Sequence, residues 1–583
     1  MVVNIFVCFL KAVFLLTLFW FFCLRLAYSV PNAGSLLNFE EEIEKVNVLP
    51  IQIPKEDEII NGVSGKNGEK VLIKGFKFEG KKNGFTSQEL EKILEDLIGK
   101  NLSFEEIQNA ANKIQSFYRE AGYFLAQAYI PEQEVKDGII TIFISEGKLD
   151  SEKPYEIKKN DIRLKDGIPE SYFIEGMKGK FTQQGLERSI LNFNEMPGIE
   201  GKVTLKPGDD IYSTRIVLDV KEGPLISGAL SIDNYGNRYT GQNRTSGIAY
   251  INNPTKIGDQ VIFNVITAPS GNFSLYKLGY NYPLGRNGLR SSFFINDLNY
   301  KIGKELKTSP KSMGNALTYS ANLKYPLHRT AIRTLLISGN YEHKEMYNET
   351  TGSTTSDKNI STIGTKFTFT NIDKIFLGGY MQSTISFSSG ELDLSGDQSD
   401  LSSDQGTSGA KTDGSFSKSN IQFLRIQRIA EPLDLHILAS AQLANKNLDS
   451  SEKFTLGGVG GVRAYPSGEA SGDEGRKVSF DLKYKPGGSI INLFEDMQLS
   501  LFYDYGNIKQ YNDLLNISMT TPNKYSLKGW GAGLDMFTSN DYSLKIGVAD
   551  SVSGNPGKTS SGNNSDGKDN TWRYWFLGVF NLK

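Results

Sequence analysis

Gln498 to Gly506 reads QLSLFYDYG, and the phase of this stretch decides the architecture. Successive side chains of an extended strand point to opposite faces. Leu499, Leu501, Tyr503 and Tyr505 therefore share one face, while Gln498, Ser500, Phe502 and Asp504 share the other, with Gly506 at the end. The same alternation sets Val478, Phe480, Leu482 and Tyr484 against Ser479, Asp481 and Lys483. It sets Tyr542, Leu544, Ile546 and Val548 against Ser543, Lys545, Gly547 and Ala549. Segments of about ten residues, apolar on one face and polar on the other with aromatics near their ends, are the signature of a barrel that spans an outer membrane. A soluble extracellular β-protein is the competing architecture.

Outward from that stretch, residues 225–583 have room for about sixteen strands of roughly 9 to 11 residues, so the fold class is mainly β. Ser388 to Ser415, rich in Ser, Gly and Asp, reads as one external loop. Gly554 to Asn570 reads as another, just before the closing strand WRYWFLGVF. A third segment, Phe454 to Lys477, FTLGGVGGVRAYPSGEASGDEGRK, is too long for a hairpin turn, and loops of that length are usually functional or disordered. Its first half is glycine-rich around the compact Val462-Arg463-Ala464-Tyr465-Pro466; its second is small and acidic, with Glu469, Asp473 and Glu474.

The 583 residues exceed one ordinary globular core, so several domains are expected. A formal charge of -2 gives no case for nucleic acid. The counts of Gly (59), Tyr (27) and Phe (34) suit many short strands joined by turns. At the N-terminus Lys11 precedes an apolar run, Ala12 to Leu24, then Arg25 and the small-residue sequence Ala27-Tyr28-Ser29. This pattern predicts a secretory signal over residues 1–29; an uncleaved signal anchor is the alternative. Cys8 and Cys23 both lie within it, so neither a disulfide nor a thiol metal site is expected in the mature chain.

Residues 30–70 contain Ser35 to Val46, SLLNFEEEIEKV, a short helix with Leu36, Phe39 and Ile43 at helical spacing and carboxylates on the other side, followed by a polar tether. It reads either as a fraying terminus or as a helix that docks elsewhere through its linker.

Two α+β modules follow, at 71–149 and 150–224. In the first, VLIKGFKFEG precedes two helices with capping boxes, Thr86 with Glu89 and Ser103 with Glu106, and then strands at Phe124 to Ile130 and Gly138 to Ser145. The second is a weaker copy. Its strands are expected near Ile157 to Leu164, Val203 to Leu205 and Thr214 to Val220, and its helices around Tyr172 to Met177 and after Thr182. This order resembles POTRA domains, whose open sheet edges permit docking of extended peptides.

The whole arrangement resembles the TpsB transporters of two-partner secretion, the haemolysin secretion and activation proteins. The resemblance rests on the modules, on Val462-Arg463-Ala464-Tyr465, and on the first-strand motif IDNYGNRYTGQNR with Asp233, Asn234, Gly236, Thr240 and Gly241. Tyr282-Pro283-Leu284-Gly285 and Phe502-Tyr503-Asp504-Tyr505-Gly506 add to it. It implies an outer-membrane pore in which Arg463 sits inside the barrel and pairs with Asp504; the Ser35 to Val46 helix is the candidate plug, because its carboxylate face suits a polar lumen. The resemblance also implies periplasmic modules, and a large exoprotein partner with an N-terminal secretion domain. Outer-membrane lipid and, during biogenesis, the barrel-assembly machinery are further expected partners. The family usually has Gly where Ala464 stands, which makes a left-handed backbone there less comfortable. Its barrels usually end on an aromatic, whereas this chain continues past Phe580 through Asn581, Leu582 and Lys583.

His328, His343 and His436 show no metal-ligand or triad spacing, so no cofactor, metal or enzymatic activity is expected. An insertase of the same superfamily and a barrel-borne hydrolase or adhesin are the rival readings.

Overall fold

The computed structural model describes residues 31–37, 70–80 and 85–582, apart from breaks at 122, 124, 136, 146–147, 160–161, 178–181, 211–212, 308–310, 487–495 and 539–541. The expected signal over 1–29 lies outside the described residues. So do Phe39 and Ile43; of the N-terminal helix, the described turn α1 spans 33–37 and includes Leu36.

In the first module, β1 (Val71–Leu72) pairs with β3 (Asn101–Leu102). β2 (Gly75–Gly80), β5 (Ile139–Ser145) and β4 (Gln127–Tyr129) form a three-stranded sheet in that order. Helices α2 (Ser87–Ile93) and α3 (Phe104–Glu120) cover it. Both capping boxes form: the Thr86 and Ser103 amides donate to Glu89 and Glu106 at 2.7 Å, and the hydroxyls accept from the Glu89 and Glu106 amides at 3.3 Å. They fix the helix starts, so that Leu90, Ile107, Ile114 and Tyr118 face Phe76, Phe78, Ile140 and Ile142 in one core.

The second module has β6 (Lys148–Leu149), β7 (Tyr155–Lys159), β8 (Ile199–Pro207) and β9 (Ser213–Glu222), with helices α4 (Ile168–Gly176) and α5 (Gln183–Phe193). β9 is central, parallel to β6 and β7 on one side and antiparallel to β8 on the other. Several element bounds differ from the sequence pattern; VLIKGFKFEG, expected as one strand, divides into β1 and β2, whose partners are β3 and β5. β4 is shorter than Phe124 to Ile130, because only three residues pair with β5. β7 ends at Lys159, where its parallel register with β9 ends. α4 starts at Ile168 rather than near Tyr172, with Pro169 in its first turn, where the missing amide is harmless. β8 runs from Ile199, because the full length of β9 accepts it.

This module is seated on the near end of the barrel. Arg188 on α5 donates to the Tyr325 hydroxyl at 3.0 Å, and Glu195 accepts from Lys324 at 3.1 Å and pairs with Arg329 at 3.0 Å. Gly258 lies against Met196, leaving no space for a Cβ.

Sixteen antiparallel strands make the closed barrel. They begin β10 (Ile226–Asp233), β11 (Arg244–Asn252), β12 (Gln260–Thr267), β13 (Phe273–Pro283) and β14 (Arg290–Lys301). β15 (Ser312–Arg329), β16 (Arg333–Thr350), β17 (Ser353–Asp373), β18 (Gly379–Asp393), β19 (Gly414–Ala430) and β20 (Leu433–Ala444) follow. After a long loop holding the small hairpin β21 (Phe454–Leu456) and β22 (Ala470–Gly472), the wall resumes with β23 (Glu474–Tyr484) and β24 (Asp496–Lys509). β25 (Lys524–Phe537), β26 (Tyr542–Ser551) and β27 (Trp572–Leu582) complete it. Leu499, Leu501 and Tyr503 are exposed on the outside, while Phe502 and Asp504 are buried inside.

β17 has 21 residues, against the roughly 9 to 11 that cross a bilayer. The central hairpins therefore overrun the membrane. For this reason the Ser388 to Ser415 segment is only partly loop: β18 continues to Asp393 paired with β17 and β19, and α6 (Gln398–Gln405) caps the remainder.

β10 and β27 close the barrel over six residue pairs, from Gly228 with Leu582 to Asp233 with Leu577. Asn581 and Leu582 continue this register past Phe580. Just beyond, the Asn234 side chain acts as an extra rung: its amide nitrogen donates to the Tyr574 carbonyl and its oxygen accepts from the Phe576 amide, both at 2.9 Å. Asn234→Ala strands two strand groups, which costs about 1–3 kcal/mol. The temperature at which the folded gel band converts to the unfolded one should drop by several degrees, with no change in the modules.

Candidate functional site

The loop between β20 and β23 turns into the barrel instead of away from it. Leu456, Val462, Ala464 and Tyr465 are buried together with Phe502, Ile508, Tyr525, Leu527 and Ala549 of the inner wall. Close approach depends on wall glycines. A Cβ on Gly506 would stand 2.7 Å from Leu456, and one on Gly529 would stand 2.5 Å from the Ala464 methyl. Ala464 itself is not left-handed; the positive φ angles of the turn fall on Gly457, Gly458 and Gly468. The missing side chain of Gly529 is what gives the Ala464 methyl room.

At the tip, Arg463 is held by two carboxylates. Its Nε and Nη2 donate to Asp504 at 2.9 and 2.6 Å, and its backbone amide donates to the same carboxylate at 2.9 Å. Nη2 and Nη1 also reach Asp481 at 2.6 and 3.2 Å. The guanidinium lies 3.5 Å from the centre of the Phe502 ring, a cation–π contact shielded from water. Asp481 stands on the inward face given by strand alternation, yet its share in the latch was not assigned from sequence; adjacency of β23 and β24 creates it.

The same loop reaches the barrel seam. The Trp575 indole of β27 donates to the Arg463 carbonyl at 2.7 Å, and Ser467 donates to the Tyr235 carbonyl at 2.8 Å. Tyr235 meets Trp575 edge to face. The first-strand motif shapes this contact. Asp233 binds Arg244 at 2.9 Å and caps the Tyr235 amide at 2.8 Å. Gly236 and Gly241 have no space for a Cβ, and Gly241 has a φ of 153°. Thr240 is buried beside them.

The base of the loop, 447–453, sits on a lumenal ion-pair network that alternation alone does not reveal. Glu452 pairs with Lys344 at 3.1 Å and Lys418 at 2.7 Å, Asp449 with Lys358, and Lys453 with Asp473. On this base rests α1. The Ala33 amide donates to Asn348 at 3.0 Å, Ser450 donates to Asn32 at 3.0 Å, and a Cβ on Gly34 would stand 2.8 Å from Ser450. Ala33, Leu36 and Leu37 are buried in an apolar cluster with Tyr300, Leu392, Leu394, Phe416 and Leu448. The described turn is thus held by apolar packing; the carboxylates of the Ser35 to Val46 stretch lie outside the described residues.

On the outer side of the loop, Glu469 accepts from the Asn555 side chain and, at 2.8 Å, from the Ser565 amide, both in the segment between β26 and β27. Burial raises its pKa to about 7, against the lowering effect of those hydrogen bonds. His328 lies beside Gln184 and His343 beside Ser361, on different strands, β15 and β16. Among the described residues no group of three His, Cys, Asp or Glu is placed to hold a metal.

A periplasmic pair of α+β modules at the near end of a sixteen-stranded barrel, with a loop and the α1 turn packed inside it, is the arrangement of an outer-membrane transporter of the two-partner kind. The family model "Haemolysin secretion/activation protein ShlB/FhaC/HecB" matches residues 213–536, more than half of the chain, and the protein belongs to that family. The "POTRA domain, ShlB-type" model matches 71–147. Among curated relatives, the Heme/hemopexin transporter protein HuxB of Haemophilus influenzae (strain 86-028NP) is 26% identical over 80% of this chain and 81% of its own length. The Outer membrane transporter CdiB of Escherichia coli O6:K15:H31 is 22% identical over 68% of this chain and 66% of its own. The solved structure of CdiB from Escherichia coli has the same fold, with a TM-score of 0.71 at 17% identity, covering 95% of this chain and 99% of that one.

Removing one partner of a buried ion pair costs about 3–5 kcal/mol where the other charge is left uncompensated. With Asp504 1% exposed, Arg463→Ala and Asp504→Ala should each release the loop and abolish most secretion while the barrel keeps its heat-modifiable gel mobility. Asp481→Ala, which removes two contacts and leaves three, should do less. Normal secretion together with collapsed mobility would sink this account. The pH dependence has a definite sign. The folded pKa of Glu469 lies above its ordinary value of 4.5, so the neutral packed form is fully stable below that value, and its stability is lost as pH rises through about 7. Proteolytic nicking within 552–571 should increase between pH 6 and 8, and Glu469→Gln should flatten the profile.

Proposed function

We propose that the two modules catch the N-terminal secretion domain of the exoprotein by adding it as a strand, and that the chain then passes unfolded through the lumen. Two sheets with flanking strands support the reading: β2 and β4 bound the first, and β8, with Lys202, Thr204 and Leu205 turned to solvent, bounds the second. Folding of the exoprotein outside makes return unfavourable, so the transporter itself needs no catalytic chemistry, nucleotide or cofactor. Lipid meets the outward apolar face, and the barrel-assembly machinery inserts the barrel. The relatives' name makes a cargo that engages haem or hemopexin the leading class.

The observation that carries this reading is the pair of internal stoppers, the 454–472 loop and α1, which share the 447–453 base. Such a lumen is a closed state, and export requires that at least α1 leave it. A Cβ on Gly34 stands 3.0 Å from the Ser451 Cβ, shorter than the roughly 3.5–4.5 Å of a disulfide, so introduced cysteines are within bonding reach once the turn gives by about half an ångström. Oxidised Gly34→Cys/Ser451→Cys protein should be locked, with secretion and pore current falling at least about tenfold and returning on reduction, since one residence contact then decides access. Undiminished secretion by fully crosslinked protein would remove α1 as the plug.

A further inference from the structure

The connection between β17 and β18 presents three consecutive apolar side chains, Ile375, Phe376 and Leu377, exposed by 58, 87 and 56%. It lies at the periplasmic end. The second module docks on the connections 253–259, 284–289 and 330–332, and this is the next connection at that end. Neighbouring connections extend the surface, with Ile332 on one side and Ile429 on the other, both exposed. The Ile372 amide donates to the Ile332 carbonyl at 2.8 Å, so the connections form one rim.

The tip is rigid. Gln427 donates to the Ile375 and Gly378 carbonyls at 2.9 and 3.0 Å, and Asp373 accepts from the Ile375 amide at 3.1 Å. Phe376 has a φ of 54°, a conformation that favours Gly or Asn and is strained for a bulky residue. A large ring is thus held at the most exposed point of a preorganised turn.

Lipid does not account for it. Lys358 and Lys418 reach into the lumen, so strand alternation places Phe367, Asn371 and Asp373 of β17 and Ile421 and Arg425 of β19 on the outside. The apolar belt at Phe367, Ile385 and Ile421 gives way below to the Arg425–Asp373 ion pair and to Arg333 donating to Asn371 at 3.2 Å. Ionised groups of this kind mark the edge of the hydrocarbon. The apolar tip lies beyond that edge, separated from the lipid belt by charge. It is instead continuous with the docked module: Glu187 of α5 accepts from the Ala331 amide at 3.3 Å, and the uncovered rim starts with Ile332, the next residue.

We propose that this rim is a contact point for the exoprotein, binding an extended segment with alternating apolar side chains as it passes from the second module to the pore mouth. The proposal rests on the transport reading above and adds a site to it. An extended chain offers an apolar side chain at every second residue, which suits spaced anchors such as Ile332, Phe376 and Ile429.

The test uses the full-length protein with Phe376→Trp in phosphatidylethanolamine/phosphatidylglycerol vesicles containing brominated phospholipid, read against the unsubstituted protein. Trp530 and Trp572, exposed on the outer wall, serve as quenched references. The probe is a synthetic alternating Val–Thr peptide of about 20 residues added from the periplasmic side, long enough to span several strand-type contacts. The added tryptophan should escape bromine quenching and shift to the blue when the peptide is added. Half-block of pore current in a planar bilayer should then need at least about fivefold more peptide for the Ile375→Ser/Phe376→Ser/Leu377→Ser variant, as expected on losing a buried anchor. Quenching without peptide overturns the proposal in favour of a lipid anchor. Current block with no blue shift, or equal block of the variant, overturns it and leaves the transport reading standing. A blue shift without any block supports the rim and contradicts threading; absence of both contradicts the two together.

Discussion

The inserted loop depends on one guanidinium shared by two carboxylates. Arg463 places a planar fork between Asp481 of β23 and Asp504 of β24, with the Phe502 ring against its face. A lysine offers a single point charge and has no equivalent of this geometry. Because the Asp504 carboxylate also accepts from the Arg463 amide, the backbone of the tip is fixed along with its charge. From that fixed point the loop can hold other parts: its carbonyl and Ser467 meet the seam, and its base carries α1. Wall, seam and the α1 turn therefore share a single covalent segment, which lets a change at one be felt at the others.

Much of this is legible in the sequence. A period of two residues gives the face of each strand, and it sent Asp504, Phe502 and Asp481 inward and Leu501 and Tyr503 outward. Capping pairs at Thr86 and Ser103 located two helices because a cap is a local interaction, complete within four residues. What escaped the sequence is non-local. That Asp481 joins Asp504 on one arginine depends on the register of β23 against β24. That Trp575 reaches the Arg463 carbonyl depends on closure of a barrel whose first and last strands are separated by the whole domain. Nor do Lys344, Lys358 and Lys418, on three different strands, announce that Asp449 and Glu452 will meet them.

Ala464 illustrates how a local departure is absorbed. A methyl replaces hydrogen at a crowded turn, and the expected difficulty with a left-handed backbone does not arise because the left-handed positions are glycines on either side. The crowding is displaced to Gly529, whose missing side chain makes the space. The described turn of α1, Ala33 to Leu37, carries no charged side chain; Leu36 and Leu37 are held by an apolar cluster near the outer end of the barrel. Release of this turn exposes apolar surface, so it is resisted by the hydrophobic effect rather than by salt-sensitive attraction.

The central claim is that the two-carboxylate grip on Arg463 holds the loop and, through it, the seam. Amide hydrogen exchange of Arg463→Lys protein compared with the unsubstituted protein tests it most directly. The account predicts faster exchange across 454–472 and, in the same sample, across Asn234 to Gly241, while the first module is unchanged. Unaltered protection at Asn234 to Gly241, with the loop loosened, would show that the seam stands independently and would contradict the coupling.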